Sequence, residues 1–315
     1  MRSKCLVVAG AGVMLLASPL TYAEENLWIY AKGTDTRPKG SVELKLSDTI
    51  RVDKDSGSYR FHDIRPEIEY GITDKLTIGA EIMIFDHNYS GIEAGNDPVH
   101  ETQEANGGSF NKTQYGGFEI ALKYNILSPY KDFMGFSVGL GYENRDIYRL
   151  DGSETDQDSF TTTLFFQKNF LDDTLVFVLS PKVEFERRKT PGVLEEEISL
   201  DISAGVSYRF KPKWFVGLEF RHQSDYLSVD ENGEFEEGVK PSSFDLTDFS
   251  VGDQFQRGNY IGPTLHYAEK NWWVTTGLLY QYNGGGSSRA FNKDGKNFDE
   301  HEKFHIGFAL GYEFQ

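Results

Sequence analysis

Cysteine is almost missing from this chain, and the one present, Cys5, lies in an apolar stretch near the N-terminus. Met1-Arg2-Ser3-Lys4 is a basic start, Cys5 to Leu16 is apolar, Pro19 breaks the run, and Thr21-Tyr22-Ala23 offers small residues at the usual cleavage positions. Residues 1–23 therefore read as a secretory signal peptide, with Cys5 too early in it to be a lipid-modified cysteine. The mature chain then has no thiol, which excludes disulfides, thiolate metal sites and a cysteine nucleophile. Positive charge is scarce as well. Lys and Arg number 32 against 49 Asp and Glu, a net charge of −17 that becomes −19 once Arg2 and Lys4 leave with the signal peptide. Such an acidic chain is no partner for nucleic acid. The third absence is a long apolar run: beyond the signal peptide nothing reaches the roughly 20 residues of a membrane helix, and mean hydropathy is −0.49. A barrel hides its membrane signal by alternating lipid-facing and lumen-facing residues, so low hydropathy leaves that class open.

What is present is alternation. From Phe304 to Phe314 every even position is large and apolar, and the odd positions are the small or polar His305, Gly307, Ala309, Gly311 and Glu313. Period-two patterning ending on an aromatic is that of a transmembrane strand. It recurs about twelve times, near residues 41–53, 58–70, 76–87, 114–127, 134–146, 158–170, 175–188, 197–210, 214–226, 256–268, 272–282 and 302–314. Short connections at 71–75, 128–132, 171–174, 211–213 and 269–271 alternate with longer ones that include 88–113, 227–255 and 283–301. This asymmetry predicts an all-β, antiparallel, up-and-down transmembrane barrel of about 12 strands, with short periplasmic turns and long extracellular loops. The expected organisation is a signal peptide (1–23), an N-terminal periplasmic or lumenal arm (24–39) and one barrel (40–315).

The apolar face, such as Leu76, Ile78, Ala80, Ile82 and Ile84, is assigned to lipid. A soluble barrel or sandwich with that face turned inward is the plainer alternative, and turn asymmetry and the aromatics argue against it. Tyr70, Tyr124, Phe170, Phe210, Trp214, Trp272 and Phe314 cluster near the short turns. Phe85, Tyr89, Tyr142, Tyr226, Tyr260 and Tyr282 cluster near the long loops. Both sets are expected to form interfacial girdles.

The opposite face is expected to line the lumen. In the first half it carries Glu43, Lys45, Arg65, Glu67, Glu69, Glu81, Glu119, Lys123, Glu143 and Arg145. In the second half it carries Lys182, Glu184, Asp201, Arg209, Glu219, Arg221, His266 and His305. Charges there must be hydrated or paired. Two readings follow: a narrow channel for small polar or charged solutes, or a closed lumen whose ion pairs merely brace the wall.

Three motifs bear on chemistry. His301-Glu302-Lys303-Phe304-His305 spells a zinc-peptidase pattern, but that site needs a helix. In a strand four residues span roughly 13 Å, so no metal site is expected. His222-Gln223-Ser224-Asp225, at the loop end of an outward strand face, resembles the His-x-Ser arrangement of outer-membrane phospholipase A and lipid A deacylases. A third residue must orient the imidazole, and Asp225 or Asn259 is available; the Asn-Gly that follows the serine in the phospholipase is absent. Carboxylate clusters at Asp151, Glu154, Asp156 and Asp158, and at Asp230, Glu231, Glu234, Glu236, Glu237, Asp245, Asp248 and Asp253, lack the spacing of a calcium loop and read as solvated. Asn232-Gly233 reads as a hairpin turn in the longest loop.

Arg37-Pro38-Lys39-Gly40, the run Asp63-Ile64-Arg65-Pro66-Glu67-Ile68-Glu69-Tyr70-Gly71-Ile72-Thr73-Asp74-Lys75, Glu269-Lys270-Asn271-Trp272-Trp273 and the closing Gly311-Tyr312-Glu313-Phe314 resemble a family of Gram-negative outer-membrane β-barrel proteins of unassigned function. More loosely they resemble porin-like channels linked to uptake of aromatic compounds. The resemblance implies residence in the cell outer membrane and transport, and brings no catalytic residues, because these motifs make turns and walls. Expected partners are outer-membrane lipid and lipopolysaccharide, a small solute, and the barrel assembly machinery through Tyr312 and Phe314, although Gln315 follows the terminal aromatic. The reading is a monomeric channel with neither enzymatic activity nor cofactor. Its alternatives are an outer-leaflet lipid acyl hydrolase using His222 and Ser224, and a closed structural or adhesive barrel acting through acidic loops.

Overall fold

A computed structural model describes residues 26–190, 193–227, 252–286 and 291–314. Its strands are β1 (Val42–Val52), β2 (Ser58–Thr73), β3 (Leu76–Ser90), β4 (Ser109–Leu127), β5 (Gly135–Ile147), β6 (Glu154–Phe170), β7 (Leu175–Thr190), β8 (Val193–Lys211), β9 (Trp214–Leu227), β10 (Asp253–Ala268), β11 (Trp272–Gly286), β12 (Asn292–Lys293), β13 (Lys296–Asn297) and β14 (Phe304–Phe314). One short helix, α1 (Val99–Ala105), lies between β3 and β4. Twelve strands close into one antiparallel barrel, and β12 and β13 form a hairpin of their own in the last loop. Closure is made by β1 against β14, from Val42 opposite Phe314 to Val52 opposite Phe304. No barrel strand is left with an open edge.

The alternation in the sequence settles which way each side chain points. On β14, Ile306, Phe308, Leu310, Tyr312 and Phe314 are exposed, whereas His305 is fully buried. Leu44 and Leu46, Ile68 and Tyr70, Ile120, Leu122 and Tyr124, and Val216 and Leu218 continue the exposed apolar face around the wall. A belt of this size has no place in water; against lipid tails it is the low-energy surface. The molecule is a transmembrane β-barrel. Tyr70, Tyr124, Phe170, Phe210, Trp214, Trp272 and Phe314 are exposed at the short-turn end, as a girdle requires.

The second girdle needs correction. Phe85, Tyr89 and Tyr260 are 0%, 1% and 0% exposed. Their parity puts them inside: Phe85 and Tyr89 are odd on a strand whose even residues face out, and Tyr260 neighbours the exposed Ile261. Several strands also run farther toward the long loops than alternation predicts, with β3 reaching Ser90 and β4 beginning at Ser109. There the outward positions turn polar, as in the pairs Asp86 with Thr113 and Asn88 with Asn111, and the lipid-facing period-two signal is lost. The last strand begins at Phe304, leaving Glu302 and Lys303 in the loop. Inside the long-loop end, Tyr59, Phe61, Met83, Phe85, Tyr89 and Phe110 from β2–β4 pack with Ile92, with Val99 of α1 and with Ile147 as an apolar core. That part of the inner face is apolar, where a charged lumen was expected. The signal-peptide cleavage site, the carboxylates from Asp230 to Asp248 and the Asn232-Gly233 turn lie outside the described residues.

Candidate functional site

Residues 26–41 run inside the barrel from mid-height to the short-turn end. Leu27, Trp28 and Ala31 are buried with Val176 and Val178 of β7. Room for the Trp28 indole comes from Gly205, where a Cβ would fall 2.4 Å from the ring, and room for Ile29 comes from Gly307, where it would fall 2.5 Å away. The arm makes no sheet, so its amides need other acceptors. One carboxylate supplies them: Glu219 accepts from the backbone N–H of Ile29 (2.9 Å), Tyr30 (2.7 Å) and Ala31 (2.7 Å). The Arg221 guanidinium carbon lies 3.5 Å from the Tyr30 ring centroid. Nearer the short turns, Thr34 N–H donates to Gln167 at 2.8 Å, the Asn125 amide donates to the Thr34 carbonyl at 3.0 Å, and Arg37 pairs with Glu43 and Glu69.

The other end is filled by loop. Lys54, in the β1–β2 turn and fully buried, donates from Nζ to the carbonyls of Phe298 (3.0 Å), Asp299 (2.8 Å) and His301 (3.3 Å). Gln281 bonds both the N–H and the carbonyl of Asn297, and the Tyr260 hydroxyl donates to the Glu302 carbonyl at 3.0 Å. Burial pushes the Glu300 carboxyl up to about 8, with Asp299 adding to the rise. Asp299 itself is pushed up to about 6, again by burial. Glu302 goes the other way: burial would raise it, but Lys54 and a hydrogen bond from His305 hold it below the usual carboxylate range. Loop and arm also meet. Tyr30 Oη lies 2.8 Å from His305 Nδ1, and His305 Nε2 lies 3.3 Å from Glu302, which faces Lys54 at 3.8 Å.

Between the two fillings is a cavity of about 310 Å³. Its wall includes Lys45, Arg65, Glu67, Glu69, Glu81, Glu119, Lys123, Glu143, Arg145, Lys182, Glu184, Asp201 and Arg221, which are thirteen of the eighteen residues predicted to line the lumen. These charges are cross-linked. Arg65 bonds Asp63 at 2.8 Å and Glu81 at 2.5 Å and reaches Glu119 and Glu143 at 3.5 Å. Arg145 joins Glu143 to Glu184, Lys182 pairs with Glu184, Arg221 with Asp201, and Lys45 with Glu67. Glu43, Glu219 and His305 face inward too but engage the arm or the loop. His266 bonds Thr275 at 2.7 Å, and Arg209 sits over Phe215 near the short-turn rim, so neither lines the cavity.

His222 and Ser224 fall on the outer face, and the structure brings a third residue to them. Ser224 Oγ is 3.1 Å from His222 Nε2, and Asn259 Oδ1 is 2.9 Å from His222 Nδ1. Asp225, the other candidate orienter, points inward toward a smaller cleft with Glu186 and Glu197. His301 and His305 both pack on the Tyr260 ring, and among the described residues no group of three or more His, Cys, Asp or Glu is placed to hold a metal.

Sequence reading missed Lys54, Gln281 and Tyr260, whose roles depend on a loop folding back inward. The arm's docking had a visible trace: the apolar Leu27-Trp28-Ile29-Tyr30 segment faces inward glycines at Gly205, Gly217, Gly277 and Gly307.

No curated protein matches the chain by sequence. Among solved structures it is similar to the COG4313 outer membrane channel from Pseudomonas putida F1, with a TM-score of 0.58 and 12% identity over 89% of this chain and 98% of that one. The KdgM porin in complex with disordered oligogalacturonate aligns with a TM-score of 0.43 and 12% identity over 87% of this chain and 99% of that one. LpxR from Salmonella typhimurium aligns with a TM-score of 0.41 and 8% identity over 86% and 99%. At such identities the first of these likenesses speaks for the fold alone. Residues 20–314 match the model of a family of unknown function (DUF6662), and the chain belongs to that family.

Proposed function

We propose that this protein is a narrow channel of the Gram-negative outer membrane, passing small polar or charged solutes through a lumen partly closed by its own arm and loop. The observation that carries this reading is the mid-barrel cavity of about 310 Å³ walled by charges of both signs. A barrel serving only as a scaffold has no need of a hydrated interior, and unfilled space among ionised groups is space for water. The paired wall leaves no large field of one sign, so selectivity between anions and cations is expected to be weak. In this reading the short turns and the arm face the periplasm, and the long loops face outside.

The test is conductance of the refolded barrel in a planar bilayer, with the reversal potential measured under a salt gradient. Small, stable steps with a reversal potential near zero are expected. Silence from barrels whose heat-modifiable gel migration proves them folded would overturn the channel reading.

A further inference from the structure

The outer wall carries a second feature that the channel does not use. On β9, Arg221 faces the cavity and Leu218 is exposed to lipid, so His222 and Ser224 share the outward face with Leu218. Residues directly opposite across a ladder lie on one face. His222 stands opposite Asn259, and Asn259 opposite Asn283, in one row. The next row is Ser224, Arg257 and Gly285. Three strands thus hold one polar cluster at a fixed place on an apolar wall.

We propose that Ser224, His222 and Asn259 form a serine-hydrolase triad that cleaves the carboxylic ester of an acyl lipid at the long-loop interface. The hydrogen bonds carry the argument. Asn259 Oδ1 can only accept, so His222 Nδ1 holds the proton and donates it at 2.9 Å. The other ring nitrogen is then a lone-pair acceptor, and it lies 3.1 Å from Ser224 Oγ. That is the tautomer a general base for serine requires, fixed by a third residue from a neighbouring strand. Asn259 is held in turn by its amide, which donates to Asn283 at 3.4 Å. Height on the wall agrees. From Trp214 in the short-turn girdle to Ser224 is ten residues, which at about 3.3 Å each along a strand tilted roughly 40° rise about 25 Å. The apolar band of such a barrel is about as tall, so Ser224 stands where ester linkages of a lipid leaflet lie.

The step balances with water as the second reactant. Ser224 Oγ attacks the ester carbonyl carbon while its proton passes to His222 Nε2. Collapse of the tetrahedral intermediate breaks the bond to the alcohol oxygen, which leaves with that proton, and the acyl group remains on Oγ. Water then attacks the acyl carbon, gives a proton to Nε2, and releases the fatty acid as the proton returns to Oγ. Arg257 Nε, a buried N–H with no hydrogen-bond partner, stands in the same row but lies against Gly285 on the side away from Ser224, so it serves the developing oxyanion only by turning toward β9. Ser224 is itself 0% exposed, so an ester reaches Oγ only when the atoms covering it move.

The full-length barrel in mixed micelles is treated with a long-chain alkyl fluorophosphonate, and peptide mass spectrometry locates the adduct. Fatty-acid release is followed separately from phosphatidylethanolamine micelles and from lipopolysaccharide micelles, which tells the two sources of acyl ester apart. Labelling at Ser224 and release from one lipid are expected, both lost by about a thousandfold or more in Ser224→Ala with conductance and gel migration unchanged. Asn259→Ala is expected to slow labelling about tenfold or more and to move the pH midpoint of labelling, which a packing role would not do. A folded wild type that neither takes the label nor releases fatty acid, or release that persists in Ser224→Ala, overturns the proposal.

Discussion

At mid-barrel one carboxylate, Glu219, gathers three backbone N–H groups of the arm; toward the long loops one ammonium, Lys54, gathers three backbone carbonyls of the last loop. Both side chains are 0% exposed. The mirror has a common cause, since irregular chain inside a barrel leaves its amides and carbonyls without ladder partners, and each is costly to bury unpaired. A charged group with several hydrogen-bonding directions satisfies three at once. The supports around the two differ. The arm adds apolar burial, with Trp28 and Ala31 packed against β7 and Trp28 against Gly205, whereas the described part of the loop buries one large apolar side chain, Phe298. The arm is therefore expected to be the firmer closure and the loop the one that opens.

Deleting residues 26–36 sharpens this most. It removes most of the filling below the cavity while leaving Arg37 to its pairs with Glu43 and Glu69, and single-channel conductance is expected to rise several-fold. Lys54→Met comes next. The loop loses three hydrogen bonds to a charged group, each worth about 1.5–3 kcal/mol, and its carbonyls become unpaired. Conductance is expected to flicker between the wild-type level and a higher one, and amide exchange in residues 291–303 is expected to rise to that of an open loop. An unchanged exchange pattern would mean that Gln281 and Tyr260 suffice to hold it.

A smaller effect tests whether the two closures act on each other. Tyr30 of the arm reaches Lys54 through His305 and Glu302, a chain of contacts of 2.8, 3.3 and 3.8 Å. Tyr30→Phe removes one hydroxyl and frees His305 Nδ1, a loss of about 1 kcal/mol, and loop exchange is expected to quicken although the substitution lies in the arm. In the double variant with Lys54→Met the two effects are expected not to add, because both act through the same contacts. Additive effects would mean two independent closures.

These regions also differ in how far the sequence reveals them. The barrel wall repeats one rule twelve times, so the strands and their facing could be read from period-two patterning, and thirteen of the eighteen residues it assigned to the lumen line the cavity. Phe85 and Tyr89 lie inside although they stand near a loop, because the pleat enforces parity whatever the height on the strand. The last loop offered nothing comparable. Lys54 and Phe298 are 244 residues apart, and one lysine in a turn looks like any solvated lysine until the backbone carbonyls around it are known. The Ser224 cluster falls between these cases: His-x-Ser was visible, but Asn259 became the orienter only when register placed it opposite His222.

The faintest expected effect concerns the outer edge of the loop closure, where Asp55 pairs with Lys293 and Lys303 at 3.2 Å each. Slight burial alone would raise the Asp55 carboxyl, but hydrogen bonds from Lys293 and Lys303 outweigh it and hold it below the usual carboxylate range. With the docked value depressed, this contribution to docking is present above the ordinary range of an aspartate, near pH 4, and is lost as pH falls through the docked value. The group is partly exposed and screened by salt, so its share is small beside that of buried Lys54. Asp55→Asn is expected to quicken amide exchange in residues 291–303 about twofold at pH 7 and low salt, to do less at high salt, and to make no difference once pH is below the docked value. An effect that persists in high salt would mean that the Asp55 carboxylate acts through its direct hydrogen bond from Lys303 at 3.2 Å rather than through charge that salt can screen.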